Sequence, residues 1–437
     1  MSFVSVKRVR SVLLFAICFG AAARLSAAII GTNPPAMPLT AARIADLPLG
    51  RQAVWMAYLE RSTRQLAADQ AFLRAERKEH AVKKPVIPPA TSNAEGLALN
   101  KPADWYGRAG ARHIADIIVS FQTPAGGWSK NLDMTRSVRV PGGSFAPDNR
   151  SRWLNNVDYD TPHDTNWNYV GTFDNDATTT QLRFLAKVIA ATGTNNAPYR
   201  AAFQRGLDYI LAAQYPNGGW PQVWPLQGGY HDAITYNDDA VLHVLELLRD
   251  AAGGQNEFAF VSAGERALAA ASMKRGIDCV LATQIIVNGR RTVWCQQYDP
   301  LALQPASARN YEMPAQASSE STAILLFLMQ LPNPDSNVVA AVHAGAAWFE
   351  QTQIQNAAFR EVRGRGRLLV SAPGNGPLWA RYYEIGTDRP IFGDRDRTIH
   401  DDVNEISLER RNGYGWYRDT PKRLMGQYAR WNQSHPR

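Results

Sequence analysis

Cysteine is scarce in this sequence, which has three among 437 residues. Cys18 lies in an apolar N-terminal segment, whereas Cys279 and Cys295 lie within the body of the chain. No C-x-x-C spacing occurs, so neither a zinc ribbon nor a disulfide-based scaffold is expected. In an oxidising compartment the two later cysteines could form a disulfide or remain buried thiols, and the sequence leaves both alternatives open.

Long hydrophobic runs are also missing, since no stretch reaches the roughly 20 apolar residues that a membrane helix needs. The apolar run from Val12 to Ala23 follows Lys7, Arg8 and Arg10 and precedes small residues. This three-part pattern predicts a signal peptide over residues 1–27. We therefore expect an exported mature protein, in the periplasm or the medium, that is not bound to the membrane.

The excess of positive charge is small once that peptide is removed, because the formal charge falls from +8 to +4. A mild excess of this size suits a polyanionic ligand held in a local groove. It does not suit a general nucleic-acid surface, so we expect no nucleic-acid partner. The chain is expected to act as a monomer.

Alternating strand patterns are few, whereas helical patterns recur around a repeat of the form Q-x-x-x-G-G-W. One copy runs from Gln122 to Trp128 and a second from Gln214 to Trp220, and a looser third copy ends at Trp294. Such repeats indicate one supersecondary unit used several times. We predict an all-α fold, an α/α toroid of about three helical hairpins with long functional loops over residues 105–437. A small N-terminal helical segment and linker should occupy residues 28–104.

Two acidic runs precede predicted helices of successive repeats, at Asp174-Asn175-Asp176 and at Asp238-Asp239. Such residues cap helix N-termini well. One cap needs only one oxygen, however, and each run offers more. Several carboxylate and amide oxygens that converge on one axis would suit a hard cation, most naturally Ca²⁺.

Basic residues stand at the corresponding place of the third repeat and near the C-terminus. Arg309 could face the acids, or it could form a structural ion pair with Glu312 or Glu320. Arg381 and Arg395 lie in a polar, glycine-rich section where guanidinium groups could clamp carboxylates or join a salt-bridge web.

Taken together, these motifs resemble polysaccharide lyase family 10 pectate lyases. They are T-F-D-N-D-A-T-T-T, N-G-G-W-P-Q, Y-N-D-D-A, A-R-N-Y-E with S-S-E-S, and R-Y-Y-E-I-G-T-D-R-P. The similarity extends from about Trp105 to the C-terminus, and the order and spacing of the motifs make it specific. It implies β-elimination of demethylated polygalacturonate, assisted by Ca²⁺, on an α/α toroid.

The resemblance also implies roles for individual residues. Arg309 matches the catalytic arginine base and Asp174 the essential aspartate, while Asp174, Asn175 and Asp238 occupy the calcium motifs. Arg381 and Arg395 match substrate-binding arginines. Asp176 stands where relatives carry a smaller residue, which leaves the division of roles between Asp174 and Asp176 open.

A further anion contact is predicted from the residues themselves at Lys130, which follows Gly-Gly-Trp-Ser. An arginine base requires a neutral guanidinium, which is rare at physiological pH. Crowding of Arg309 by Ca²⁺ and other cations would disfavour its charged form, so we expect activity to rise into alkaline pH.

Other interpretations are an inverting glycoside hydrolase, a triterpene cyclase and a secreted carbohydrate-binding protein. The hydrolase would use two of Asp174, Asp176, Asp238 and Glu320 as acid and base. The Q-x-x-x-G-G-W repeats also occur in cyclases, but several site arginines and an export signal argue against a hydrocarbon substrate. Endo or exo action and the tolerance of methyl esters stay open.

Overall fold

The computed structural model describes residues 29–91, 97–147, 167, 169–193 and 196–436. The predicted signal peptide, residues 1–27, lies outside these described residues. Their α-helices are α1 Ala41–Ala45, α2 Leu49–Glu79, α3 Ala109–Phe121, α4 Thr179–Thr192, α5 Ala197–Ala213, α6 Ala240–Gly253, α7 Ala263–Ala282, α8 Ser318–Met329, α9 Ser336–Gln351, α10 Leu408–Gly413 and α11 Pro421–Ser434.

Helices α3 to α9 pack as successive neighbours around a common core. Helix α4 packs on α3 and α5, α6 packs on α7, and α8 packs on α9 and α11. The apolar residues of α4 and α6 recur at helical spacing, so that each helix buries a broad face. Local signals fix some helix starts: Ser262 and Glu265 form a capping box at α7, and Asp335 caps α9.

The predicted Gln and Trp repeat forms the same hydrogen bonds in each copy. The amide of Gln122 donates to Gly126 O and Ala202 O, both at 2.8 Å, so it connects the C-terminal end of α3 to α5. The Trp128 indole donates to Ile118 O at 2.8 Å. Gln214 with Trp220, and Gln284 with Trp294, repeat this pattern.

We call a tryptophan whose indole donates to the preceding helix, together with the turn before it, a tryptophan corner. A further corner of this kind, which the sequence did not reveal, follows helix α9. The Trp379 indole donates to Phe349 O at 2.9 Å, as the other three donate to the preceding helix. No Gln-x-x-x-Gly-Gly precedes Trp379 in the sequence. Four corners of one kind therefore arise, although only two carry the full motif.

The predicted all-α class is wrong, because the described residues also contain thirteen short strands in six small sheets. The pairs are antiparallel, in the orders β1-β12-β11, β10-β6, β13-β9, β2-β5, β3-β4 and β7-β8. The strands are β1 Ile29–Thr32, β2 Ile234–Thr235, β3 Ile286–Val287, β4 Arg290–Arg291, β5 Gln297–Tyr298, β6 Gln316–Ala317, β7 Ala357–Val362, β8 Gly366–Ser371, β9 Trp379–Ala380, β10 Tyr382–Tyr383, β11 Phe392–Gly393, β12 Thr398–His400 and β13 Tyr417–Arg418.

The size of these strands explains why sequence patterns missed them. Most contain only two residues, whereas alternation becomes recognisable over four to eight residues. They join loops from distant parts of the chain, such as β6 with β10 and β9 with β13. The loops that the fold prediction treated as irregular are thus held together by short ladders.

The N-terminal segment packs against the helical repeats. The Tyr58 hydroxyl of α2 donates to Ala213 O at 2.8 Å, and the Trp55 and Tyr215 ring centroids lie 5.4 Å apart. Strand β1 pairs with β12 near the C-terminus. Residues from both ends of the described chain therefore meet.

Cys279 and Cys295 are both buried free thiols. Of the two alternatives that the sequence left open, the structure contains the unpaired one. Burial raises the pKa of Cys279 to about 12, which keeps this thiol protonated and unreactive. Among the described helices, none combines the length and the apolar character that crossing a bilayer requires.

Replacing Gly218 should test the tightness of the tryptophan corner. Gly218 has a φ of +95°, and an added Cβ would lie 2.1 Å from Arg275 O. We expect Gly218→Ala to lower the free energy of unfolding by about 3 kcal/mol or more, because backbone strain adds to the clash. Gly264→Ala in α7, where a Cβ meets nothing within 4 Å, is the control. Equal urea midpoints for both variants would contradict the prediction.

Candidate active site

Two short turns at the starts of α4 and α6 carry the acidic runs. Asp174–Asp176 and Asn237–Asp239 each form one 3₁₀ turn, and the turns pack against each other. Asn175 and Asp238 adopt left-handed conformations with φ of 50° and 49°, which Asn and Asp tolerate better than most residues. Neither α4 nor α6 has a side-chain N-cap hydrogen bond. Helix capping therefore does not account for these acids.

One polar cleft brings together five of the seven residues predicted for the site: Lys130, Asp174, Asn175, Asp238 and Arg309. Glu312, Tyr169, Tyr230 and Asn237 also line it, with three glutamines described below. Its acidic and basic groups come from four different loops. The remaining two predicted residues, Arg381 and Arg395, lie outside this lining.

Three lining residues occupy equivalent positions two residues after a corner tryptophan. Lys130 follows Trp128, Gln222 follows Trp220, and Gln296 follows Trp294, and all three line the cleft. Arg381 follows Trp379 in the same way. Sequence reasoning missed the two glutamines, together with the neighbouring Gln297, although alignment of the repeats on tryptophan would have found Gln222 and Gln296.

Asp174 is almost completely buried and forms an ion pair with the side chain of Lys130. Lys130 Nζ lies 2.6 Å from Asp174 Oδ2 and 3.4 Å from the centroid of the Tyr169 ring. Burial alone would raise the pKa of Asp174, but the Lys130 ammonium and then Arg309 hold the pKa below its ordinary value. Oδ1 of Asp174 is buried with no hydrogen-bond partner in the described part of the chain. The Gln222 side chain also helps to lower the pKa of Asp174, but no donor meets hydrogen-bond geometry at Oδ1, so this oxygen is a potential ligand atom.

Asp238 behaves differently, because its surroundings oppose its charge. The Asp238 side chain lines the cleft and is exposed to solvent, but protein atoms surround it at longer range. This enclosure raises its pKa to about 6, with the Asp174 charge adding to the rise and Arg381 opposing it. The Asn237 amide donates to Asp238 Oδ2 at 2.9 Å.

Asp176 points elsewhere, although it belongs to the same run as Asp174. Its Oδ1 lies 2.9 Å from His243 Nδ1 on α6, and it does not line the cleft. Burial opposes protonation of His243, but the Asp176 carboxylate raises the pKa of the imidazole above its usual value. The geometry therefore favours Asp174 over Asp176 as the residue that faces a ligand.

Arg309 forms a bidentate ion pair with Glu312. Its Nε donates to Glu312 Oε2 at 2.8 Å and its Nη2 to Oε1 at 2.5 Å. Enclosure opposes the charge of Arg309, but the Glu312 carboxylate outweighs it and raises the pKa well above the ordinary arginine value. Glu312 thus acts in the opposite direction to the cationic crowding expected from the sequence. The structural ion pair considered for Arg309 is present, and the same side chain lines the cleft.

Arg381 is buried behind Asp238. Its Nη2 donates to Glu320 Oε1 at 2.7 Å and to Asn237 Oδ1 at 3.1 Å, and its guanidinium lies over the Tyr414 ring. It lines a neighbouring cavity of about 370 Å³ that Asp238 and Glu320 also border. Asp238 therefore borders both this cavity and the polar cleft.

Arg395 lies next to Tyr311. Its Nε and Nη2 donate to Glu409 at 2.9 and 3.3 Å, and its guanidinium carbon lies 5.3 Å from the Tyr311 ring centroid. The guanidinium of Arg309 lies 5.1 Å from the same centroid. Tyr311 thus links the two arginines, although only Arg309 lines the cleft.

The donor set suits a hard cation only in part. Within the described ranges, no group of three His, Cys, Asp or Glu side chains is arranged to hold a metal ion. Asp174 and Asp238 offer carboxylate oxygens, and Asn175 can offer an amide oxygen because its amide nitrogen donates to Asn131 at 3.0 Å. Ca²⁺ takes six to eight oxygen ligands, so about half would have to come from water or a ligand.

Comparison with known proteins agrees with the motifs at this site. The profile of the pectic acid lyase family matches residues 122–425. A family 10 polysaccharide lyase from Cellvibrio cellulosa is 32% identical with a TM-score of 0.62, over 79% of this chain and 99% of that chain. A mutant of such a lyase from the same organism, in complex with trigalacturonic acid, is 31% identical with a TM-score of 0.62, over 79% and 100%. No curated protein matches the chain significantly.

Removing the charge of Asp238 should stabilise the free protein. A raised folded-state pKa means that the wild type loses stability as the pH rises from about 4 to about 6. We expect Asp238→Asn to unfold with a free energy about 1 kcal/mol higher above pH 6, a value reduced for solvent screening, and with no gain below pH 4. Asp278→Asn, which alters an exposed pair with Lys274, is the control. A pH-independent gain in thermal unfolding midpoint would contradict the prediction.

Proposed function

The chain belongs to polysaccharide lyase family 10, and from this membership we propose that it cleaves polygalacturonate by Ca²⁺-assisted β-elimination with Arg309 as the base. The chain is a pectate lyase. This displaces the hydrolase, cyclase and non-catalytic alternatives. Export of the mature enzyme after removal of residues 1–27 is part of the proposal, since the polysaccharide is extracellular.

The observation that carries the proposal is the meeting of opposite charges in one cleft. Asp174 and Asp238 from two turns face Arg309 from a third loop. A uronate requires this combination, because its carboxylate needs cationic partners while the C5 proton needs a base. The bound trigalacturonic acid of the Cellvibrio cellulosa lyase supports the substrate class.

Asp174, Asp238 and Asn175 are the residues that would hold the metal. When bound, Ca²⁺ would neutralise the substrate carboxylate and stabilise the negative charge that develops as the C5 proton leaves. Oδ1 of Asp174, which has no hydrogen-bond partner among the described residues, supports this role. Because the chain offers few ligands, we expect metal and substrate to bind cooperatively.

The elimination uses the remaining groups of the chain. Neutral Arg309 takes the C5 proton, the C5–H electron pair forms the C4–C5 double bond, and the C4–O bond breaks with its pair leaving on the oxygen. Glu312 holds the guanidinium plane in place through two hydrogen bonds. Lys130, Arg381 and Arg395 would bind substrate carboxylates or fix the groups that do.

Replacing Arg309 should abolish turnover and spare binding. We expect Arg309→Ala to lower kcat at least 100-fold, because loss of a general base typically costs 10²–10⁴-fold. The absorbance of 4,5-unsaturated uronides measures kcat, and calorimetry with trigalacturonic acid measures binding. Arg64→Lys, at an exposed surface pair with Glu60, is the control. An unchanged rate for Arg309→Ala would eliminate the arginine-base proposal.

Removal of calcium should stop the reaction, and low pH should mimic that removal. Asp238 has a pKa of about 6 and must be charged to hold the metal, so the Ca²⁺ concentration for half-maximal rate should rise below pH 6. Because the pKa of Arg309 lies well above the ordinary arginine value, only a small fraction of its side chains is neutral, and this fraction grows as the pH rises. We therefore expect kcat/KM to increase from pH 5 to 9. Chelator presaturated with Ca²⁺ is the control. A rate maximum near pH 5 would refute the assignment.

A further inference from the structure

The residue that fixes the Arg309 loop lies at the opposite end of the chain. Asn33 follows strand β1, and both precede the region 122–425 that the family profile matches. Its side chain is buried, with 1% of its surface exposed. Its amide nitrogen lies within hydrogen-bond distance of three backbone oxygens, those of Arg309, Asn310 and Glu312, at 3.0, 2.9 and 3.2 Å.

These carbonyls converge because the loop is a tight turn. Glu312 N donates to Arg309 O at 2.9 Å, and Ala308 N donates to Glu312 O at 3.0 Å. Such a turn directs several carbonyl oxygens to its inner side, where they need a donor. The two N–H bonds of Asn33 supply it, while the Ser307 hydroxyl donates to Asn33 Oδ1 at 2.7 Å.

The backbone around Asn33 also holds the segment that carries Arg395. Asn33 N donates to Arg397 O at 2.8 Å, and Thr32 pairs with Thr398 in the β1-β12 ladder. The Asn310 amide donates to Arg395 O at 2.8 Å. Asn33, through its side chain and its backbone N–H, therefore joins the loop of Arg309 to the loop of Arg395.

We propose that Asn33 is a positioning residue for Arg309, acting through the backbone of the 308–312 turn. This rests on the proposed function, in which Arg309 takes the substrate proton. Without the amide, the Asn310 carbonyl loses this donor, the Arg309 and Glu312 carbonyls keep a backbone donor but lose the second one, and the turn shifts. A shift of about 1 Å in a reacting group can lower a rate 100-fold.

The test compares Asn33→Asp with wild type. Aspartate has nearly the same shape, but its carboxylate accepts where the amide donates. We expect kcat on polygalacturonate to fall about 10- to 100-fold while KM changes less than about threefold. Ser307→Ala removes only the hydroxyl that holds Asn33 Oδ1 and should lower kcat less. This second variant tests the same contact if Asn33→Asp does not fold.

Arg43→Gln is the matched control. Arg43 also anchors the N-terminal segment, through Asp299 and through Pro38 O at 2.8 Å, but it does not contact the 308–312 turn. This variant should keep the wild-type kcat even where its unfolding midpoint falls. An equal loss of kcat in Arg43→Gln and Asn33→Asp at equal destabilisation would show a general structural effect and overturn the proposal.

Hydrogen exchange supplies a readout that does not depend on activity. The amides of Ala308 and Glu312 should exchange at least tenfold faster in Asn33→Asp, with amides of α4 unchanged. Wild-type exchange at both positions overturns the positioning role. If wild type makes no unsaturated product, the proposed function fails, while the exchange rates still decide whether Asn33 holds the turn. Folded Asn33 variants with the wild-type kcat overturn the positioning proposal alone.

Discussion

The enclosure of Asp238 by protein, beside the charge of Asp174, is the constraint on which the arrangement of the site depends. Two carboxylates that face one cleft raise the free energy of the folded state unless cations compensate them. Lys130 compensates Asp174 at 2.6 Å, whereas Asp238 keeps a raised pKa. The chain thus neutralises one acid fully and leaves the second incompletely compensated. Under the proposed role of Ca²⁺, a bound divalent ion would relieve this imbalance.

Tryptophan corners determine where Lys130, Arg381 and two of the cleft glutamines stand. Each corner indole donates to the preceding helix, and the residue two positions later borders the polar cleft or, at Arg381, the adjacent cavity. The packed ring fixes the backbone, so a short step along the chain suffices to present a functional group. Variation at this position changes the site from Lys to Gln to Arg without altering the corner. One structural unit therefore supplies different chemistry at each repeat.

The sequence predicted the features that depend on residues close together in the chain, and it missed those that depend on contacts between distant residues. Asp174, Asn175, Asp238, Lys130 and Arg309 stand in compact motifs and line the cleft, whereas Asp176 and Asp239 of the same acidic runs do not. The division between Asp174 and Asp176 was not readable, because left-handed backbone at Asn175 and Asp176 sends neighbouring side chains in different directions. Nine of the thirteen strands have two residues and carry no periodic signal, and the six-residue strands β7 and β8 show no strict alternation of buried and exposed residues, so the all-α prediction failed. Asn33 contacts a loop 276 residues away, and no local pattern encodes such a contact.

The arginines of the site share a further property, which bears on how they could bind a polyanion. Arg309 rests on Glu312, Arg381 on Glu320 and Arg395 on Glu409. Each guanidinium has five N–H groups, more than one carboxylate can accept. The glutamates therefore fix the planes of the guanidinium groups and leave them further hydrogen-bonding capacity. The entropy of ordering these long side chains is lost during folding, so binding of a uronate would not incur it again. Glu312 also raises the pKa of Arg309, so the ion pair that orders the proposed base also favours its protonated form, which cannot accept the substrate proton.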